Sequence, residues 1–244
     1  MSHPRIRRVL AHARWETQLT LRNGEQVLLT IIIPVAMLLG LGLLQLWPVT
    51  GERVPTAVAA VWVVTVLATC FTSLAIGTGF ERRSGALRFL STTPLTRLEL
   101  LAGKVLAVLA STALSIAIVS VVAVAIGWRP GWTVLPALGV LALGGAALGT
   151  WAFVLAGTLR AEAVLAVANG IFIVLLLAGG VAIPPDRLPG ALAGLAQVLP
   201  TGALTDALTS LLVDASAPGA WPIVVLVAWL VAGAALARRF FRWN

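Results

Sequence analysis

An all-α integral membrane protein is the fold class that three observations predict. The 244 residues are 59% hydrophobic and only 11% charged, with a mean hydropathy of +1.01, where a soluble domain carries about 25% charged residues. The apolar residues stand in charge-free blocks longer than the roughly 18 needed to cross hydrocarbon as a helix. Lysine and arginine gather at alternate block ends: 14 on one side and 3, Arg53, Arg129 and Arg187, on the other. One transmembrane domain over residues 1–244 accounts for the length.

Charged residues fence the blocks. Twenty-six uncharged residues separate Glu25 from Glu52, 27 separate Arg53 from Glu81, and 24 separate Lys104 from Arg129. Further on, 30 lie between Arg129 and Arg160, 23 between Glu162 and Asp186, and 23 between Asp214 and Arg238. Six spans are expected, about Gln26–Trp47, Thr56–Gly79, Leu101–Gly127, Val134–Leu159, Ala163–Ile183 and Trp221–Ala237. Helices are required because lipid satisfies no backbone group. The positive bias and the even span count place both termini in the cytoplasm. Trp47, Trp128, Trp132 and Trp221 then mark the outer interface, and Trp15 and Trp243 the inner one.

The first apolar block starts too late, and is too long, to be a cleavable signal. Residues 4–24 read as an amphipathic helix lying in the inner interface, closed by Asn23-Gly24. Ile6, Val9, Leu10 and Ala13 share its apolar face. Arg5, Arg8 and His12 share the opposite face, which is expected to be solvated. Near the other end, residues 184–220 are too long for a turn and too apolar for a loop. Leu188, Leu192, Leu195 and Leu199 recur at helical spacing, and Leu204, Leu208, Leu211 and Leu212 do so after Pro200. Two short helices broken at Pro200-Thr201-Gly202 are expected. They form either a re-entrant hairpin dipping into the outer leaflet or a pair lying on its surface.

Glu81 to Lys104 is a basic, amphipathic island between two spans. It cannot cross the bilayer, and its composition suits a short helix docking on something soluble. Elsewhere reactive chemistry is lacking. No ionisable residue stands mid-span, as a proton-coupled carrier generally needs. The span serines and threonines have no base nearby in sequence for nucleophilic catalysis. No phosphate-binding G-x-x-x-x-G-K-[ST] loop occurs, so hydrolysis of nucleotide on this chain is not expected. Cys70 is read as a small buried residue. The +8 net charge is spent on topology, which argues against a nucleic-acid partner. Gly145 and Gly149, at G-x-x-x-G spacing, permit close helix approach, within the bundle or at a seam between subunits.

On four elements the island resembles the cytoplasmic loop of type 2 ABC-transporter permeases, the membrane subunits of bacterial exporters. These are Glu81-Arg82, then Gly85 with Leu87 and Leu90, then Thr93-Pro94, then Gly103-Lys104. Arg83 stands where that family usually has an acid. Leu21-Arg22-Asn23 before a span containing Pro34, and Leu199-Pro200 with Asp206-Ala207-Leu208 before the last span, extend the resemblance over nearly the whole chain.

The resemblance implies a permease without its own nucleotide site. Residues 82–97, within a coupling region at 82–100, would form a coupling helix seated in a groove of a separate ATP-binding subunit. Leu87, Leu90, Leu95 and Leu98 would supply apolar surface, and Arg82, Arg83, Arg88 and Arg97 polar contacts. Two ATP-binding subunits, carrying ATP and Mg, would drive two permeases, identical or homologous, in a bacterial plasma membrane. With spans free of central charge, the expected cargo is hydrophobic or amphipathic: a drug, natural product or lipid. The alternatives are cofactor- or haem-related export, and a membrane anchor or assembly protein that transports nothing.

Overall fold

The computed structural model describes residues 3–44, 52–87, 96–181 and 190–240, and these contain helices and no strand. The chain opens with α1 (His3–Arg22), α2 (Gly24–Val27), a π-helical segment (Leu28–Ile32) and α3 (Ile33–Leu43). It continues through α4 (Arg53–Val66), a second π segment (Leu67–Ser73) and α5 (Leu74–Arg83). The long helices α6 (Arg97–Ala125), α7 (Val134–Thr158) and α8 (Ala161–Ala178) follow. The short α9 (Gly190–Val198) and α10 (Pro200–Leu212) precede the final α11 (Ala220–Phe240).

Among the described residues, five helices are long and apolar enough to cross a membrane: Arg53–Arg83, Leu98–Ala125, Val134–Thr158, Ala161–Ala178 and Ala220–Phe240. They correspond to the last five expected spans. The first is helical from Gly24 to Leu43, but its apolar helix runs only from Thr30 to Leu43. Trp47 and Trp243 fall outside the described residues. The α4–α5 helix runs past its expected ends because nothing in Arg53 or the Glu81-Arg82-Arg83 end stops a helix that reaches water. α8 ends five residues early, where Gly179 and Gly180 follow it and Gly180 takes a φ of +72°. Glycine alone accepts that conformation without strain.

The α4–α5 helix is the centre of the bundle. Val58, Val61, Trp62, Leu67 and Ala75 are fully buried along it. Trp62 meets Trp128 edge-on at 5.9 Å, so Trp128 packs in the core rather than in the outer aromatic belt; Trp132 and Trp221 are exposed as expected. Small residues set the close approaches. A Cβ on Gly145 would lie 2.7 Å from Leu109 and 3.1 Å from Cys70, and one on Gly149 would touch Leu74 and Val105 at 3.5 Å. The G-x-x-x-G spacing is thus occupied within this chain. Gly233 in α11 likewise abuts Thr150 and Trp151 of α7.

The α9–α10 pair is broken at one residue, Leu199, which is extended (φ −79°, ψ 145°). Pro200 is the first residue of α10, so Thr201 and Gly202 are helical and not part of the break. Proline disfavours the helical region for the residue before it and suits the first helical position itself. α10 sinks into the bundle. Leu204, Leu208 and Leu211 are buried, Thr201 Oγ1 donates to the Leu175 carbonyl at 2.9 Å, and Trp229 Nε1 donates to the Val198 carbonyl at 2.8 Å. Trp229 lies nine residues into α11, about 13 Å along its axis. Trp221, at the start of α11, also donates to the Gln197 carbonyl at 3.1 Å, so the two indoles hold the end of α9 along the first turns of α11.

A candidate coupling site at the arginine-rich end

α5 and α6 carry the chain to and from the island, and each end is formed by a local signal. At the end of α5, Ser84 N donates to the Phe80 carbonyl at 2.9 Å and Gly85 follows with φ +81°. This is a left-handed glycine cap. At the start of α6, Glu99 N donates to Thr96 Oγ1 at 3.3 Å and Thr96 N donates to Glu99 Oε2 at 2.8 Å. The pair is a capping box. Its Thr-x-x-Glu pattern is legible in the sequence and moves the helix start from the expected Leu101 to Arg97.

The island residues divide into three groups. Leu90, Thr93, Pro94 and Leu95, with Arg88, lie outside the described residues. Arg97 opens α6, and its side chain is also outside them. Glu81, Arg82, Arg83, Gly85 and Leu87 are described. Arg82 and Arg83 end α5 rather than begin a coupling helix. Arg82 Nη2 donates to the Leu159 carbonyl at 2.5 Å, and Arg83 pairs with Glu162 at the start of α8. Leu87 is fully buried in the apolar core. It faces inward and offers no docking surface, because its side chain closes the bundle beneath the turn. Leu98 is exposed. On the far hairpin Pro200 is buried and Asp206 exposed.

Glu81 and Lys104 meet. The Lys104 ammonium, 3% exposed, lies 2.8 Å and 2.7 Å from the two oxygens of Glu81 and 2.8 Å from Glu16 Oε1. One cation thus ties α1, α5 and α6 together. A second tie joins α1 to α6, where Arg8 Nη2 donates to Glu99 Oε1 at 2.8 Å. Sequence reasoning missed Glu16, His12, Glu99 and Arg8 as parts of this site.

The polar face of α1 is not solvated as expected. That face, carrying Arg8, His12 and Glu16, packs on α6, and His12 is buried rather than solvated. Ile6 and Leu10 stay exposed on the other side, where an interfacial helix presents its apolar face to lipid, while Ala13 is buried against the bundle. The reason is charge: α6 presents buried Lys104 and Glu99, and the polar face of α1 brings Glu16 to the first and Arg8 to the second. Gly103 makes the fit possible, since a Cβ there would stand 2.5 Å from His12 Cδ2. Burial holds the His12 imidazole below its ordinary pKa; nearby Glu16 raises it and Lys104 lowers it further.

Above the triad lies a polar cavity of about 160 Å³, reached by Gln26, Thr30, Thr69, Ser73, Thr78 and Ser111. Both π segments contribute to its wall, through Thr30 and through Thr69 and Ser73. Gln26 Nε2 donates to Ser73 Oγ at 2.5 Å, Thr69 and Thr112 share a hydrogen bond of 2.7 Å, and Ser115 donates to the Thr30 carbonyl. π turns occur mainly as local insertions and often at functional sites. Thr69, Thr112 and Ser115 thus join helices, whereas Thr65, Ser111 and Ser120 donate back to carbonyls of their own helix.

A bundle of helices long and apolar enough to cross a membrane, with two of their ends joined through one buried ion cluster, defines a polytopic membrane protein. A family profile, ABC-2 type transporter, matches residues 7–213, from α1 to just past α10. The chain belongs to that family. It is a multi-pass membrane protein and the permease component of an ABC transporter, a component that associates with an ABC ATP-binding subunit. No curated protein matches the chain individually.

Proposed function

We propose that this permease exports a hydrophobic or amphipathic compound, powered by ATP and Mg held on two copies of a separate ATP-binding subunit. The observation that carries this reading is the Glu81–Lys104–Glu16 triad. The segment between Leu87 and Thr96 connects two helix ends that the triad ties to each other and to α1. A push on that segment, through Leu90, Thr93, Pro94 and Leu95, reaches three helices as one unit. The load then passes along α5 to the π segment at Leu67–Ser73, where the polar cavity gives the second span room to bend.

The reading includes a sixth span built on Gly24–Leu43, both termini in the cytoplasm of a bacterial plasma membrane, and α9–α10 as a re-entrant hairpin on the outer side. A second permease chain, identical or homologous, completes the pathway. The largely apolar bundle, with charge confined to helix ends, favours cargo of low charge.

The test is co-purification with the ATP-binding subunit encoded beside this chain, followed by ATP turnover in nanodiscs with and without Leu90→Asp. A stable complex whose turnover falls in the variant is the expected result. Absence of any complex would leave a non-transporting anchor as the better reading.

A further inference from the structure

A second cavity, of about 340 Å³, lies apart from the coupling site. Its size is at the lower end of small-molecule pockets. It runs between α7, α8 and α11, with Phe71 and Pro200 closing its deep side. Its floor, Phe71, Ala147 and Leu148, is buried; its rim, Trp151, Leu155 and Ile171, is only half-buried. The slot therefore opens sideways, towards whatever surrounds the bundle.

Its length and its ends are informative. Along α7 the lining runs from Ala147 to Thr158, eleven residues or about 16 Å. One leaflet of a bilayer has about 15 Å of hydrocarbon. The deep end stops at Pro200, at the α9–α10 turn, beside Trp229. The open end is Thr158, whose exposed hydroxyl is the lining's lone polar side chain outside the indoles. Directly beyond it stand cations. Arg82 is held to the Leu159 carbonyl with its other nitrogens uncommitted in that bond. The Arg160 side chain is exposed and makes no ion pair or hydrogen bond with the described residues. Both lie at the arginine-rich end, at the depth where lipid phosphates sit.

We propose that this slot is a phospholipid site. One acyl chain of an anionic lipid lies along α7 from Thr158 to Ala147, and its phosphate rests against Arg160 and Arg82. An apolar slot one leaflet deep, capped by arginines at the headgroup level, matches that molecule at both ends. The site is independent of transport: a chain that moved no cargo would still hold the lipid.

The experiment is native mass spectrometry of the delipidated full chain, titrated with phosphatidylglycerol or with phosphatidylcholine of the same acyl length. Each arginine near a headgroup favours the anionic lipid by about fivefold. The wild-type 1:1 adduct is therefore expected to prefer phosphatidylglycerol by roughly 30-fold, and Arg160→Ala to reduce that preference about fivefold. Thr158→Trp, a change at an exposed position, plugs the open end and removes the adduct with both lipids. Equal retention of the two lipids by the wild type overturns the proposal. So does an adduct that survives Thr158→Trp, or a headgroup preference that Arg160→Ala leaves unchanged. No ATP-binding subunit is present in the assay, so failure here and failure of the transport reading are told apart.

Discussion

Lys104 and Glu81, 23 positions apart, meet with the ammonium 2.7 Å from a carboxylate oxygen. They close the two sides of the island like the base of a loop, and Glu16, 88 positions from Lys104, completes the clamp. A buried cation answered by two partly exposed carboxylates leaves the cluster with one negative charge to spare, which the partial exposure of Glu81 and Glu16 lets water stabilise.

Removing the cation should be costly. Lys104→Met leaves two carboxylates facing each other without their partner, and loss of one partner of a buried pair costs about 3–5 kcal/mol. Thermal unfolding in detergent should show a large drop in midpoint. Adding Glu81→Gln should recover part of it, because one unpaired charge is then removed. Full stability in Lys104→Met alone would show that the clamp holds nothing.

Gly103 should tolerate no side chain while His12 is present. In Gly103→Ala the new methyl stands 2.5 Å from His12 Cδ2, and overpacking of this kind costs about 1–3 kcal/mol. The helix α1 should lift from α6, exposing the sites around Arg14 and Arg22 to trypsin. His12→Ala in the same chain should restore protection, so the two effects are strongly non-additive.

Acidification should loosen the same contact. The His12 imidazole titrates below its ordinary 6.5 in the folded chain, chiefly through burial. Between the two values the unfolded chain binds the proton and the folded chain resists it. Stability therefore rises with pH through that window and is lost as pH falls below 6.5. Thermal midpoints measured at about pH 7 and about pH 5 should differ less in His12→Gln than in the wild type. Identical slopes would remove His12 as a contributor.

The turn after α5 should separate stability from coupling. Gly85 has φ +81° with open space where a Cβ would stand, so Gly85→Ala carries only the left-handed penalty of about 1–2 kcal/mol. Gly85→Pro is different in kind, since proline holds φ near −65° and must redirect the chain into the island. Membrane insertion should survive in both. Assembly with the ATP-binding subunit should be lost in Gly85→Pro and retained in Gly85→Ala, as read by co-purification.

The sequence by itself determined the features that depend on neighbours along the chain. Charge-free blocks become spans because each helix satisfies its own backbone, and five appear within a few residues of where the charges end. Pro200 forces the break before it, and the Ser84-Gly85 end and the Thr96-Glu99 box cap their helices through bonds spanning four residues or fewer. What only the tertiary structure decided is how those helices face one another. The amphipathic pattern of α1 laid its apolar face in the membrane interface and its charges in solvent, yet Arg8, His12 and Glu16 turn to α6. A buried charge demands a partner, and that demand is set by Lys104 and Glu99 some ninety residues away. Periodicity within a helix carries no record of which distant charge it must answer.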